Sequence, residues 1–569
     1  MRRRPRAKAA ALPGHSKTVV ILLLQPERCQ DCCMSISRVA VVGAGILGVA
    51  AAREVTMRFP DAEVTVFDKA ETVAAHQSGH TSGIVDSGLD QKPGSAEAKL
   101  TRRGLQLLIP YMAQAGVPYR ECAQLLIAQN TDEAERLEEI FARAKDNEVP
   151  GARLLERHEI GAVEPAVRGV LGLFSPHAAI ADFAALTTAL ASDVRAAGGT
   201  FRFTTEVTGF DTMSNEVRLR GRPFPADDPQ ARHGAAAGES GADGRGDGAA
   251  DDQDGRDEQV RDRPRTYRGE EGRDPVIGIG DELRDRFGQQ DWFKQAESTI
   301  GEWTQKLSDS WSGRDDRRSW GGRTGEERGS ARDDDRRTDG GRNDAPHRDS
   351  SGRDAAEEVL GVFDIVIVCA GLQADRLATA AGLDTEPRIV PFTSDYYRIP
   401  ATDTEVVRGI IGSVPDPQAP LTETSIVRGL DDGLILGPNT FVALGRETYD
   451  RHGFDLADIG STARSKGFWK FAAQTAKTAA RGVRPLVSKT AFVDGIRRFV
   501  PELDPNTVAP GPRGVRAQAM TTDGELIDEL TMTRRGRLTA VRSVPKSAAT
   551  SALAIAETIV DRAFENTAR

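Results

Sequence analysis

Near the start of the chain, a strand-like run passes directly into a glycine turn: Arg38-Val39-Ala40-Val41-Val42-Gly43-Ala44-Gly45-Ile46-Leu47-Gly48. The turn has the spacing G-x-G-x-x-G, and an alanine-rich helical stretch comes directly after it. A second apolar run, residues 64–67, then ends at the acidic Asp68. A strand, this turn, a helix and a second strand that ends in an acid form the βαβ unit that binds dinucleotides.

Each residue type in this unit has a mechanical reason. Gly43 permits the tight turn, Gly45 lets backbone N–H groups approach a pyrophosphate, and Gly48 lets the helix pack closely on the strand. The N-terminus of the helix favours the phosphate charge. Asp68 is placed to accept hydrogen bonds from an adenosine ribose, and its charge would repel a 2′-phosphate. FAD or NAD therefore fits better than NADP.

Composition limits the class of protein. With 569 residues the chain is long enough for two domains and a large core. The net charge of −10 gives no general attraction to nucleic acid, so no such partner is predicted. Three of the five cysteines crowd at Cys29, Cys32 and Cys33, which is not a secreted disulfide framework. We predict a reducing compartment and no metal site.

Residues 1–34 differ in composition from the rest of the chain. They begin with basic residues and contain an apolar run at residues 19–24, which is too short for a signal peptide or a transmembrane helix. We expect an extension that is disordered or not translated, with translation starting at Met34. Stable membrane insertion is not expected. The alternative, a thiol or metal site built on C-x-x-C-C, lacks a second cluster of ligands.

Residues 222–354 form a charged, low-complexity insertion between two enzyme segments, 35–221 and 355–565. Such a composition cannot bury enough apolar surface to offset its ordering entropy, so we predict disorder. Strand-like runs at 201–207 and 363–369 flank the insertion, and the fold should not need it. Within it, an apolar stripe rich in tryptophan predicts an amphipathic helix at about 281–311. This helix folds back on its own enzyme, forms only marginally, or docks on a partner or a membrane surface.

After Asp68 the chain reads HQSGHTSG at residues 76–83, where small hydroxyl residues alternate with glycines. This pattern suits a loop beneath a cofactor's pyrophosphate and ribityl chain. The stretch and the adjoining SGLDQKPGSAEAKL resemble the L-2-hydroxyglutarate dehydrogenase/oxidase family, FAD enzymes of the D-amino-acid oxidase superfamily. Further matching motifs occur in order at residues 368–377, 387–392, 514–519 and 547–550. The resemblance covers about residues 36–221 and 355–565.

The resemblance implies an α/β fold, with a doubly wound, Rossmann-like FAD domain and a mixed-sheet substrate domain. It implies an enzyme acting on CH–OH groups, in which the flavin takes hydride from the Cα of a 2-hydroxy acid such as L-2-hydroxyglutarate. Residues expected at the FAD are Gly43, Gly45, Gly48, Asp68, His76, Gln77, Ser78, Thr81, Ser82, Val207, Ala370, Gly371, Ser547, Ala548, Ala549 and Thr550.

The same resemblance suggests catalytic residues. Arg516 is the candidate clamp for the substrate carboxylate, although an arginine on a strand can also simply pair with a nearby acid. His80, His76 and His177 are candidates for proton transfer, because imidazole gains and loses a proton near neutral pH. Tyr396 is a candidate for the pocket wall. Its neighbour Tyr397 is another, and one of the two tyrosines should only pack.

Several positions depart from the family pattern, and they fall in the substrate-facing motifs. Asp86 and Ser425 stand where the family has histidines, and Thr393 stands where it has an arginine. These losses weaken the case for a dicarboxylate substrate. Three hypotheses are consistent with the sequence: an L-2-hydroxyglutarate enzyme, an FAD enzyme for another hydroxy or amino acid, and a catalytically silent flavoprotein whose insertion binds a partner. The fingerprint alone also permits an NAD enzyme, which leaves the later motifs unexplained.

The electron acceptor stays open between oxygen, a quinone and a carrier protein, because it depends on access to the flavin. The family resemblance implies a cytoplasmic protein, or one peripheral at the inner membrane if a quinone is the acceptor.

Overall fold

The computed structural model describes residues 36–224, 356–401, 406–416, 423–451, 453–475 and 489–565. The predicted N-terminal extension and the amphipathic helix at about 281–311 lie outside these ranges. So does the charged insertion, except for its first residues, 222–224.

The described residues form strands and helices in alternation through the first half and a strand-rich second half. The strands are β1 (Arg38–Val42), β2 (Glu63–Phe67), β3 (Ile84–Val85), β4 (Tyr119–Glu121), β5 (Gln124–Ala128), β6 (Arg153–Glu156), β7 (Leu171–Ser175), β8 (Ala179–Ala181), β9 (Thr200–Arg202), β10 (Thr205–Thr212), β11 (Val217–Pro223), β12 (Glu358–Phe363), β13 (Ile365–Val368), β14 (Arg388–Ile399), β15 (Ile410–Ser413), β16 (Ser425–Arg428), β17 (Leu434–Val442), β18 (Ala509–Met520), β19 (Leu526–Ile527), β20 (Thr531–Arg535) and β21 (Leu538–Ser543).

The helices are α1 (Ile46–Arg58), α2 (Ala96–Ala115), α3 (Thr131–Asp146), α4 (Arg157–Val163), α5 (Phe183–Ala196), α6 (Ala374–Ala380), α7 (Leu456–Ala463), α8 (Lys489–Arg497) and α9 (Ala552–Phe564). Residues 466–475 are also helical. Short 3₁₀ turns occur at Gln77–Gly79, Gly371–Gln373 and Pro505–Thr507.

Local signals explain where the longer helices begin and end. The Ser95 side chain accepts a hydrogen bond from the Ala98 N–H at 3.1 Å and caps α2. The same helix ends at Gly116, whose φ of +66° lies in the left-handed region that glycine adopts without strain. Asn130 caps α3 and Asp182 caps α5 in the same manner as Ser95.

The first sheet has the strand order β20-β21-β13-β1-β2-β9 within the described residues. All neighbouring pairs are parallel except β20 and β21. Helices α1, α2, α5 and α9 cover one face with a shared apolar core. Helix α6 and a separate antiparallel sheet, β10-β11-β12, cover the other face. Burial on both faces explains why β1 is apolar at almost every position.

The second large sheet is mixed, with the order β19-β18-β14-β17-β16-β15-β5-β7-β6 within the described residues. Only β15 and β5 pair in parallel among these neighbours. Its long central strands β14 and β18 pair antiparallel and bring Phe392 opposite Arg516. Its core includes Phe492 and Val493 on α8. The predicted fold class, an α/β nucleotide domain with a mixed-sheet second domain, is confirmed.

Two predicted strands are each divided in two. The run at 201–207 breaks at Thr204, whose φ of +48° turns the chain from β9 into β10 in a different sheet. The run at 363–369 breaks at Asp364, whose Oδ2 atom accepts the N–H groups of Ser37 and Arg38, each at 2.8 Å. Asp364 thereby fixes the start of β13 to the chain entering β1.

The sequence also predicts helices at about 455–481 and 549–565, and the structure revises both. The helix expected at about 455–481 is interrupted at Ser465, whose Oγ atom accepts from the Phe468 N–H at 3.3 Å and starts the second helical stretch. The part beyond residue 475 lies outside the described residues. The helix expected from Ala549 begins at Ala552, after a turn.

The strands on either side of the charged insertion pair with each other. In the antiparallel pair β11 and β12, Gly221 lies opposite Glu358 and Val217 opposite Phe363. The residues that flank the insertion therefore lie side by side, at the end of the strand pair that the insertion connects.

A buried arginine joins three segments beneath the second sheet. Arg446 is 3% exposed, and its guanidinium forms a two-point ion pair with Asp375, with Nη2 at 2.9 Å from Oδ2. It also donates to the carbonyl of Leu372 at 2.6 Å and to that of Ile389 at 3.2 Å. Although burial acts to raise the pKa of Asp375, Arg446 holds it below its ordinary value. The pair fixes the turn before α6 to β14.

We expect R446M to lower the free energy of unfolding by about 3–5 kcal/mol, because it leaves the Asp375 carboxylate buried without its partner. The matched control is R398M, since Arg398 pairs with Asp431 but both side chains are about half exposed. Its expected cost is about 0–1 kcal/mol. Urea unfolding followed by circular dichroism measures both, and equal losses would contradict the assignment.

Candidate active site

A cavity of about 1310 Å³ opens at the carboxyl ends of the parallel strands. Pockets for drug-sized ligands usually measure about 300–1,000 Å³, so this one has room for a dinucleotide. Its walls come from the glycine turn after β1, the end of β2, the loop at 76–82, the turn after β13, strands β14 and β18, and the segment 541–549. Ligands of open α/β sheets bind at this edge.

The glycine turn is shaped by backbone contacts that leave no room for side chains. Gly43 has φ +108°, and a Cβ atom there would lie 2.3 Å from the carbonyl oxygen of Cys369 on the neighbouring strand. A Cβ atom on Gly48 would lie 1.9 Å from the carbonyl oxygen of Gly43. At Gly45 the nearest atom would be Ser78 Oγ at 3.3 Å. All three glycines line the cavity, where we expected them.

Asp68 lies at the end of β2 and holds the glycine turn in place. Its Oδ2 accepts from the Ala44 N–H at 2.6 Å, and its Oδ1 accepts from the Ala70 N–H at 2.8 Å. A carboxylate has about four lone-pair positions, so it can still accept from a ribose hydroxyl in the cavity. Val207, on β10, lines the cavity as well.

The loop at 76–82 contacts both domains. Ser78 Oγ accepts from the Ile46 N–H at 2.9 Å, at the first turn of α1. Gln77 Oε1 accepts from the Ala517 N–H of β18 at 2.9 Å, and its amide group approaches Gly371. Thr81 and Ser82 line the cavity, as do Gln77, Ser78, Ala370 and Gly371. The loop therefore connects the nucleotide end of the cavity to the second sheet.

Two histidines of this loop face the cavity beside Tyr449. The His80 Nδ1 donates to the carbonyl oxygen of His76 at 2.8 Å, and its ring stacks on Tyr449 with centroids 4.1 Å apart. Because a carbonyl only accepts, Nδ1 carries the proton and Nε2 has the lone pair in the neutral ring. Both ring nitrogens of His76 are buried and lack a hydrogen-bond partner among the described residues.

A buried ion pair supports this loop from below. Lys69, just after β2, pairs with Glu447, which also accepts from Gln373 Nε2 at 2.7 Å. Burial acts to raise the pKa of Glu447, but the charge of Lys69, the neighbouring His76 and the hydrogen bonds from Lys69 and Gln373 together outweigh it and lower the pKa to about 2. Glu447 is therefore ionised at all working pH values and ties its loop to the nucleotide domain.

The other end of the cavity carries cations and a phenol. Arg516, on β18, lines the cavity and pairs through Nη2 with Asp528 Oδ1 at 2.9 Å. The ion pair is the alternative that the sequence leaves open for this arginine, and its role as a clamp for the substrate carboxylate stays a prediction. Tyr396, on β14, also lines the cavity, and burial raises its pKa to about 12. Tyr397 instead packs on Phe492 in the core.

Three predicted site residues lie elsewhere. His177 is outside the cavity lining, with a side chain 60% exposed and its Nδ1 4.0 Å from Glu121. Ser547 and Thr550 are buried behind the wall, whereas Ala548 and Ala549 line it. The Thr550 hydroxyl accepts from the Asp86 N–H at 2.9 Å, and the Ser547 hydroxyl accepts from Thr101 at 2.9 Å.

Acidic residues stand behind the cationic end. Burial is the main cause that raises the pKa of Asp86 to about 7, and the neighbouring charge of Asp90 adds to it. Burial likewise raises the pKa of Glu97. Both shifts favour the neutral acids. Neither side chain lines the cavity.

Three contributors to the site escaped the sequence analysis: Lys546, Tyr449 and the Lys69–Glu447 pair. Lys546 was recognisable only as a departure from the family motif. The others come together through contacts nearly 400 residues apart in the chain, for which no local signal exists.

The cavity fits FAD by its own contacts. The backbone leaves no room for a side chain at Gly43 or Gly48, so bare backbone lies where a pyrophosphate would approach. Asp68 lies in the same wall, where it can accept a hydrogen bond from a ribose hydroxyl. In the part of the chain that is described, no cluster of three or more His, Cys, Asp or Glu side chains is arranged to hold a metal ion. Likewise, none of the described helices combines the length and apolar character needed to cross a membrane.

Comparisons with known proteins agree with this geometry. Residues 38–234 match the family described as FAD dependent oxidoreductase. The mitochondrial L-2-hydroxyglutarate dehydrogenase of Nematostella vectensis is 27% identical, over 98% of this chain and 95% of its own length. The human mitochondrial enzyme of that name is 26% identical, over 92% and 88%. The FAD-bound L-α-glycerophosphate oxidase of Mycoplasma pneumoniae has the same fold, with 15% identity, TM-score 0.57 and coverage of 93% and 94%.

We expect G48A to lose bound FAD, because the new methyl group would force apart the glycine turn and α1. The overpacking should cost about 1–3 kcal/mol of unfolding free energy. The control is G495A on α8, where a Cβ atom would meet nothing within 4 Å and alanine favours the helix. The ratio of flavin to protein absorbance after gel filtration measures the effect. Full flavin content in G48A would contradict the assigned cradle.

The raised pKa of Asp86 predicts a pH dependence of stability. The protonated carboxyl is favoured in the fold, so its stabilising contribution is complete below about pH 4 and is lost as pH rises through about 7. D86N cannot ionise at this position. The unfolding free energy of D86N minus that of the parent protein should therefore increase as the pH rises from about 4 to about 7. The control D561N, at a side chain 69% exposed, should give a constant difference. Urea unfolding at several pH values across this range measures these differences. A difference between D86N and the parent protein that stays constant with pH would contradict the prediction.

Proposed function

Because the chain is an FAD-dependent oxidoreductase whose curated relatives include L-2-hydroxyglutarate dehydrogenases, we propose that it oxidises L-2-hydroxyglutarate to 2-oxoglutarate. The relatives match along nearly the whole chain, so the proposal concerns both domains. Identity of 26–27% is low enough for the substrate to have changed. The residues that line the cavity are therefore the better guide to the substrate.

The observation that supports a carboxylate substrate best is the position of Arg516 in the cavity wall. A guanidinium has five N–H donors in a planar fork that matches a carboxylate, and the bond to Asp528 occupies one of them. Arg516 lies on the same wall as Tyr396, across the paired strands β18 and β14. A substrate held there would have its hydroxyl group close to polar side chains of both domains.

Oxidation of the substrate releases a hydride from Cα and a proton from the hydroxyl group. When bound, FAD supplies the two-electron acceptor for that hydride. We assign the hydroxyl proton to His80 Nε2, because Nδ1 is held as a donor by the His76 carbonyl. Tyr396 keeps its own proton, since burial raises its pKa to about 12, and acts as a hydrogen-bond donor. Arg516 orients the carboxylate through the reaction.

A second candidate is oxidation of an amino acid, and Asp86 favours it. An acid stands there in place of the family histidine, and further acids flank the cationic end of the cavity. Neither Asp86 nor Glu97 lines the cavity, so their attraction for an ammonium group would act across the wall and only where they are ionised. The third hypothesis, a silent flavoprotein, requires that no candidate acid reduces the bound flavin.

The test is anaerobic reduction of the flavin in the purified protein. L-2-Hydroxyglutarate should bleach the visible flavin absorbance, whereas D-2-hydroxyglutarate should leave it unchanged. L-Glutamate is the arm for the amino acid candidate, and L-malate and L-lactate test substrate length and the second carboxylate.

Bleaching by L-glutamate alone would overturn the hydroxy acid proposal in favour of the second candidate. Flavin that none of these acids reduces would favour a silent flavoprotein. After bleaching, readmitted air distinguishes oxygen as the acceptor from a quinone or carrier protein, because only oxygen restores the absorbance without an addition. H80N should bind the same acid but reduce flavin about 10²- to 10⁴-fold more slowly.

A further inference from the structure

A dicarboxylate substrate needs a second cation, and the family position for one is lost. Thr393 stands where the family motif that this sequence resembles has an arginine. It is 1% exposed, lies outside the cavity lining and cannot supply charge. Arg516 can neutralise only one of the two carboxylates. A second cation must therefore come from a position that the family motifs do not mark.

Lys546 stands at the same end of the cavity as Arg516. It lies in the segment between β21 and α9 and lines the cavity beside Pro545 and Ala548. Its side chain is 38% exposed, which leaves the ammonium group reachable from the cavity. Both Lys546 and Arg516 act on Glu423: burial raises the pKa of that carboxyl, and each cation lowers it. The two cations therefore share one neighbourhood.

We propose that Lys546 binds the distal carboxylate of the substrate while Arg516 binds the carboxylate next to the reacting carbon. The inference rests on the proposed function and names the substrate class of the same site, an L-2-hydroxy dicarboxylate. Lys546 is a specificity residue in this assignment, because it contacts the substrate away from the bonds that change.

The positions of the acidic residues around the cavity agree with these roles for Lys546 and Arg516. Glu423, Asp528, Asp86 and Glu97 all lie outside the cavity lining, whereas the two cations form part of it. Nζ of Lys546 is 3.4 Å from Glu423 Oε1, compared with about 2.7–2.9 Å for a strong charge-assisted bond. Lys546 is thus oriented by Glu423 but not held tightly. A substrate carboxylate that approaches from the cavity side can form the shorter bond.

The test compares substrates of equal length with and without the distal charge. In the FAD-loaded protein, K546Q should raise KM for L-2-hydroxyglutarate about 10- to 100-fold with little change in kcat, as expected for one charge-assisted bond. The KM for L-2-hydroxyvalerate should change far less, because that acid has no distal carboxylate. K546R should recover part of the loss, and E423Q should lower KM for the dicarboxylate by freeing Lys546.

Binding without turnover gives an independent readout. Glutarate has both carboxylates and no hydroxyl group to oxidise, so its Kd can be measured from the perturbation of the flavin spectrum. We expect K546Q to raise the Kd for glutarate by the same factor as the KM for L-2-hydroxyglutarate, and to raise the Kd for valerate far less. The matched control is K470Q, at an exposed lysine that pairs with Asp523 at 2.6 Å outside the cavity. K470Q should change neither the KM values nor the Kd values.

The outcomes separate this inference from the proposed function. If no hydroxy acid bleaches the flavin but K546Q weakens glutarate selectively, the reaction is wrong and the role of Lys546 stands. If L-2-hydroxyglutarate is oxidised and K546Q changes the KM values for L-2-hydroxyglutarate and L-2-hydroxyvalerate by the same factor, or changes neither, Lys546 has only a structural role. Failure of the parent protein to bind glutarate also overturns the inference.

Discussion

The site depends on how closely the backbone after β1 approaches its neighbours. Gly43 and Gly48 leave no room for a methyl group between the turn, the first turn of α1 and the end of β13. Asp68 fixes this geometry with two short bonds from backbone N–H groups. Because the packed backbone sets where a pyrophosphate can lie, the position of every other group around the cavity is defined relative to these glycines.

The second domain is joined to this cradle by polar contacts at three places. Gln77 reaches β18, Lys69 pairs with Glu447, and Arg446 binds the turn before α6. Each contact is at least partly buried, so its electrostatic strength exceeds that of an exposed pair. Together they hold the histidine loop between the nucleotide end and the cationic end. Residues of the substrate wall can therefore be replaced without a change in the geometry of the nucleotide end.

Much of the nucleotide domain was predictable because its signals are local. The glycine spacing, the run that ends at Asp68 and the loop at 76–83 each specify geometry within a few residues. The substrate end was harder, because only the tertiary fold brings Arg516 and Lys546 into the wall of one cavity. His177 illustrates the limit: its residue type suited proton transfer, yet its position beyond β7 leaves it exposed and away from the cavity. Strand breaks at Thr204 and Asp364 were missed because tertiary contacts, not composition, cause them.

The pairing of β1 with its neighbours also sets an order of assembly. On one side β1 pairs with β2, which comes soon after it in the chain, but on the other side it pairs with β13, more than 300 residues later. β21 then adds beside β13 from near the end of the chain. Among the described strands β21 is the last in chain order, so this edge of β13 stays unpaired until all the other described strands have been synthesised. The cavity wall formed by residues 541–549 is also missing until then, so a protein truncated before β21 would retain the unpaired edge and lack that wall.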